Sequence, residues 1–182
     1  QQLGQAILEA AFTHQPSTLK NLLALNMEDG STVQDRITDL VGKIGEKVTV
    51  GDYAILGSET VVSYVHTSGK LGVLVGLQGS RGPQVIEAGK DIAMQVAAMN
   101  PLAVDKSGIE VSIVDQELAV AREQARNEGK PAIMLEKIAQ GRLNKFFKDN
   151  TLLNQPFVKD NGRTISQYLT SVAPNLTVVS FR

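Results

Sequence analysis

The sequence predicts an α+β fold: an antiparallel three-stranded sheet covered by helices, in two related subdomains, with a projecting antiparallel helical hairpin. Three observations carry this expectation. β-Branched residues at a period of two fill "KVTVGDYAIL", "TVVSYVH" and "LGVLVGL", the pattern of half-buried strands. Stretches of helical period flank them on both sides. Two of the later helical stretches are separated by "NEGKP", in which Gly129 suits a left-handed cap and Pro131 the first turn of a following helix.

Taken in order, "QQLGQAILEAAF" carries Leu3, Ile7, Leu8 and Phe12 at helical spacing and closes near Pro16. A second short helix, "STLKNLLALNM", ends near Gly30. Ser31 followed by Gln34 forms a capping-box pattern, so a third helix is expected to start there and reach about Lys43. Its apolar stripe is Val33, Ile37, Leu40, Val41 and Ile44. The three strands follow as a meander, joined around Gly57 and across "TSGK". "GPQVIEAGKDIAMQVAAM" is helical, with Val85, Ile92, Ala93, Val96 and Ala97 facing inward and Pro101 stopping it. Ser112 with Asp115 marks the next helix start, and Val114, Leu118, Ala121 and Ala125 form the seam of a hairpin. In its second arm Leu135, Ile138, Ala139, Leu143 and Phe146 share one arc with the stem of Arg142. Such an arm reaches roughly 25 Å, far enough to touch a second protein. Thr164 with Gln167 caps a final helix, and "LTVVSFR" alternates as a last strand. The expected division is residues 1–101, an N-terminal core subdomain holding the sheet, and 102–182, a C-terminal one that includes the hairpin 113–148.

With 182 residues, 42% of them hydrophobic, the chain can bury roughly 70% of its unfolded surface in one domain or two small ones. A net charge of -1 provides no whole-protein field to hold nucleic acid or an anionic membrane. No apolar run is long enough to span a bilayer. The absence of cysteine removes disulfides and thiolate chemistry and fits a reducing compartment, so the cytoplasm is expected. Gln1 at one end and Arg182 inside an expected strand at the other suggest a longer parent.

Reactive groupings are sparse. His14 lies in a polar break with no second ligand nearby, and His66 ends a strand just before "TSGK"; neither makes a metal site alone. No G-x-S-x-G motif occurs, and the glycine-rich "GKLGVLVGLQGSRG" lacks the phosphate-loop signature. Its glycines read as close packing and a turn. Lys137, Lys145 and Lys148 lie on a different arc from the seam aromatic Phe146, which favours a solvated basic face over an RNA surface. No catalytic site, metal or cofactor is expected, and the physics alone indicates an interaction protein.

Several ordered stretches are similar to one family, the translation elongation factor Ts proteins: "DLVGKIGEKVTV", "SYVHTSGKLGVLV", "DIAMQVAAMNP", "EGKPAIMLEKIAQGRLNKFF" and "LLNQPFV". The resemblance runs from about residue 5 to the end. It implies the core of a guanine nucleotide exchange factor that binds elongation factor Tu and promotes GDP release without being an enzyme. It implies partner-binding roles for Ile44 and Gly45 of the "KIG" stretch and for His66, Gly69 and Lys70 of the hairpin, with the helical arm approaching another domain of the partner. Ile44 can equally be core, since it closes the stripe from Val33. An N-terminal helical module, a Thr-Asp-Phe-Val segment and a C-terminal helix of the family have no counterpart within these 182 residues. The stretch therefore resembles the central, or dimerisation, region. A purely structural dimerisation module, pairing through a sheet edge or the arm, is the competing expectation.

Overall fold

Pro16 and Gly30 cut the first part of the chain into three helices: α1 (Gln2–His14), α2 (Leu19–Leu23) and α3 (Val33–Ile44). The computed structural model describes residues 2–67 and 69–182, and the chain divides between residues 55 and 56 into two compact units. In the first unit, Ile7 and Ala11 of α1, Leu22 of α2, and Val33 and Ile37 of α3 form the buried core. Leu8 and Phe12 fall off this arc and are exposed; the buried set on α1 recurs every four residues, and the larger side chains one position on lie outside it. The capping box of α3 is formed one residue later than expected, by Thr32 and Asp35. Overlapping pairs in "STVQD" satisfy the same pattern, and Thr32 wins because its bridge to Asn26 holds it extended and Val33 N–H donates to Leu25 O at 3.0 Å.

Residues 47–58 form no strand, which corrects the expected meander. The alternation in "KVTVGDYAIL" instead lays Val50 and Tyr53 against the helical core. The three-stranded sheet is built wholly in the second unit from β1 (Thr60–Val65), β2 (Gly72–Gln78) and the last strand of the chain, β5 (Thr177–Phe181), in the order β1-β2-β5, both pairings antiparallel. The junction expected near residues 101 and 102 consequently falls inside this unit. A small hairpin, β3 (Pro156–Phe157) and β4 (Asp160–Thr164), precedes α7 (Ile165–Val172). Thr164 and Gln167 form the capping box of α7 as the sequence predicts.

One face of the sheet is covered by α4 (Pro83–Met99). Val62, Val73, Val75 and Leu77 meet Val85, Ala88, Ile92 and Ala93 in the main core. Gly89 sets the spacing: a Cβ there would lie 2.5 Å from Val62 Cγ2 and 2.9 Å from Leu77 Cδ1. The glycines after β2 act as packing and turn residues; a Cβ on Gly79, at φ +97°, would meet Asn175 O at 1.9 Å. α4 is also tied to the later chain by a fully buried side chain. Gln95 Nε2 donates to Gln155 Oε1 and to Pro156 O, each at 3.1 Å, while Gln95 Oε1 accepts from Val158 N–H at 2.9 Å. Nearby, Asp91 accepts from Tyr168 Oη and from Lys159 Nζ, both at 2.7 Å. Burial and that carboxylate together push the Tyr168 hydroxyl pKa upward.

The helical hairpin consists of α5 (Val111–Asn127) and α6 (Leu135–Asn150). α5 starts one residue before the expected Ser112, after Glu110, and without a side-chain cap; the buried Ile109 anchors the entry instead. Gly129 turns the chain at φ +72°, and a 3-10 turn at Ala132–Met134 separates Pro131 from α6. Small residues dominate the seam, with Ala121, Ala125, Ala139 and Leu143 buried. Two arginines clamp the arms from outside. Arg122 binds Glu136 through Nε at 2.7 Å and Nη2 at 2.9 Å, and Arg142 binds Glu128 at 2.7 and 2.8 Å and Gln124 at 3.0 Å. Hydrogen bonding by these arginines holds both glutamates below the ordinary carboxyl range.

Gly89→Ala is expected to destabilise the protein by about 1–3 kcal/mol through overpacking between helix and sheet. A lowered urea midpoint at unchanged slope checks it. For the hairpin, depressed glutamate pKa values mean a contribution fully present above the ordinary glutamate value and lost as pH falls through the depressed ones. The melting temperature should drop across that acidic window. In a Glu128→Gln/Glu136→Gln double variant, that part of the profile should be flatter.

Candidate partner-binding surface

Of the residues the sequence singles out, Ile44 and Gly45 end α3 in the first unit, and His66, Gly69 and Lys70 occupy the β1–β2 turn in the second. Ile44 is the last helical residue and is 48% exposed. The buried part of the α3 stripe is Val33 and Ile37, with Val41 packed at its margin, so in this structure Ile44 is a surface residue. Gly45 follows at φ 72°, ψ 8°, and its N–H donates to Val41 O at 2.9 Å. This left-handed cap ends the helix and fixes where the Ile44 side chain leaves it. No atom lies within 4 Å of where a Gly45 Cβ would be, so the constraint there is backbone conformation and not space.

The turn between the strands is held from within. Val65 pairs with Gly72 as the last rung of the ladder. Beyond it His66 N–H donates to Leu71 O, and Gly69 N–H donates to His66 O, both at 2.8 Å. Gly69 takes φ +66°, the region where a side chain costs most. His66, Gly69 and Lys70 are exposed, as are the flanking apolar residues Val65 and Leu71. One contact escaped the sequence reading. Tyr64 Oη lies 2.9 Å from His66 Nδ1, a bond that the i, i+2 spacing on one strand face permits.

Other concave regions have a different character. A cleft of about 340 Å³ in the first unit is lined by Glu9, His14, Asp29 and Arg36 among others, but Asp29 and Arg36 are paired with each other. His14 lies at the exposed end of α1. Among the described residues no group of three or more His, Cys, Asp or Glu is arranged to hold a metal, and no helix is long and apolar enough to cross a membrane.

The sequence profile described as "Elongation factor TS" matches residues 1–182. The chain belongs to the elongation factor Ts family. Proteins named Elongation factor Ts from Amoebophilus asiaticus, Cytophaga hutchinsonii and Porphyromonas gingivalis are 59%, 52% and 44% identical to it, over 100%, 98% and 100% of this chain. It spans 65%, 64% and 65% of their respective lengths, less than two thirds of each. Membership in elongation factor Ts puts the protein among translation elongation factors, and the end of α3 in the first unit and the β1–β2 turn in the second each carry exposed side chains.

Substitutions at the α3 end separate surface from cap. Ile44→Ala should change stability by less than about 1 kcal/mol, as for a half-exposed side chain. Gly45→Ala should cost about 1–2 kcal/mol for the left-handed backbone. Thermal unfolding of the two variants checks the contrast.

Proposed function

We propose that this protein is the core of a guanine nucleotide exchange factor that binds elongation factor Tu and promotes release of GDP, acting non-covalently. The observation that carries the reading is the family match over residues 1–182, together with the exposure of the side chains at its "KIG" and hairpin stretches. Exchange of this kind needs no reacting group. A protein that binds the nucleotide-free GTPase more tightly than the GDP-bound one shifts that equilibrium by the ratio of the two affinities. Linkage makes the effect reciprocal, so GDP weakens the complex by the same factor.

In this reading Ile44 supplies an apolar contact at the end of a rigid helix, and Gly45 keeps the following backbone out of its way. His66 offers a hydrogen bond from a turn tied on both sides, and Gly69 and Lys70 complete the rim. Rigid mounting matters because only contacts realised in the nucleotide-free complex contribute to exchange; a flexible loop would lose part of that difference to ordering. The helical arm provides a second surface for the same GTPase, its far end carrying Ile133 at 92% exposure.

A dimerisation module without exchange activity is favoured by a separate feature, the sheet face opposite α4, where Val61 and Val65 are exposed. Elongation factor Tu loaded with fluorescent GDP distinguishes the two: accelerated release supports the first, and an unaltered rate with a concentration-dependent dimer supports the second. His66→Ala should slow the accelerated release while leaving the thermal melt unchanged, and an unaltered release rate would remove His66 from the contact surface.

A further inference from the structure

The Tyr64–His66 side-chain bond links a residue packed against the core to one in the exposed turn. Tyr64 pairs with Val73 inside the β1–β2 ladder, and its half-buried ring packs against the main core. Its position is therefore set by regular structure. His66 stands two residues on, one past the end of β1, with its backbone fixed by Leu71 and Gly69 and its side chain exposed. An exposed imidazole on a fixed backbone still rotates about two bonds. The ring centroids are 6.1 Å apart and tilted by 57°, so stacking does not hold it. The tie is the 2.9 Å contact between Tyr64 Oη and His66 Nδ1.

We propose that Tyr64 is a positioning residue: its hydroxyl donates to Nδ1 of His66, which selects the tautomer protonated on Nε2 and aims that N–H outward as a donor to a carbonyl or carboxylate oxygen on the GTPase. The direction of the bond follows from the groups. The lone pairs of a phenol oxygen are partly delocalised into its ring and make it the weaker acceptor, whereas an unprotonated imidazole nitrogen is a strong one. With Nδ1 accepting, the single proton of the neutral ring resides on Nε2. The same arrangement orients histidines that bind metals, where the partner of one nitrogen determines what the other offers. Here the acceptor would be a protein oxygen, and the imidazole would reach it already oriented. The inference rests on the proposed exchange function for its partner, while the tautomer can be read in the isolated protein.

Two measurements test it. Long-range ¹H–¹⁵N spectra of the histidine rings in alkaline buffer should show His66 as the Nε2–H tautomer, with His66→Ala assigning its signals. Tyr64→Phe, which keeps the aromatic ring in the core, should move the Nδ1 resonance toward the averaged position of a free ring. A wild-type ring protonated on Nδ1, or spectra unaffected by Tyr64→Phe, would overturn the proposal. In the exchange assay Tyr64→Phe should slow GDP release roughly three- to tenfold, the range of one lost orienting hydrogen bond, and should add nothing once His66 is alanine. Equal slowing in both backgrounds refutes a role through His66. Should His66→Ala itself leave release unchanged, the contribution to exchange falls with the assignment of His66, and the spectra still decide separately whether Tyr64 sets the tautomer.

Discussion

The seat of α4 on the sheet is the contact from which the second unit is organised. It is close because Gly89 has no side chain where Val62 and Leu77 press against the helix, and it is extensive because Val73, Val75, Val85, Ile92 and Ala93 close around that point. Densely packed interiors of this kind resist change in volume of even one methyl group. Three further elements take their positions from this layer. The β1–β2 ladder ends at the turn bearing His66, β5 lies along the far side of β2, and Gln95 reaches from the helix to the chain that leaves the arm. That last connection is polar and fully buried, with both ends of the amide satisfied. It directs the chain after the arm in a way that apolar packing, being indifferent to direction, does not.

The exposed signature residues share a design. Each stands at the end of a regular element and is held there by backbone hydrogen bonds, Ile44 by the left-handed cap at Gly45 and His66 by its bonds to Leu71 and Gly69. A surface that works by differential binding benefits from such mounting, because ordering on contact would consume the free energy that must distinguish one state of the partner from another. The arm follows a different plan. Its seam is narrow and alanine-rich, and paired arginines bridge the helices on the outside. Charged clamps of this exposed type contribute modestly one by one, so the arm depends on their geometry acting together with the seam.

Much of this was legible in the sequence, for reasons that differ from element to element. Helix ends written in cap chemistry were readable: Thr164 with Gln167, Gly129 at the hairpin bend, and Pro101 just after α4. The candidate side chains at the KIG stretch and the turn came from resemblance, since nothing in periodicity distinguishes Ile44 from the buried members of its stripe. The α3 start was expected at Ser31 and is found at Thr32, whose bridge to Asn26 is a contact invisible to a local pattern. The strand expected at residues 47–56 failed because alternation reports a half-buried extended segment and says nothing of what it pairs with; Val50 and Tyr53 find their cover on helices. β5 was recognised as a strand but not as the third member of the sheet, since its partner is distant along the chain. The Tyr64–His66 bond escaped because it needs a strand to align the two side chains.

That distance governs how the molecule can be made. Leu77 pairs with Val178, about a hundred residues downstream, so during synthesis β2 has an open edge until that intervening stretch has been added and has left the ribosome. The arm, by contrast, closes through neighbours in sequence and can form as soon as it emerges, and by doing so it shortens the effective loop that β5 must close. A projecting pair of helices thus doubles as a spacer that brings a late strand home, and lesions that loosen it should raise the yield of trapped, edge-exposed intermediates before they alter the finished protein.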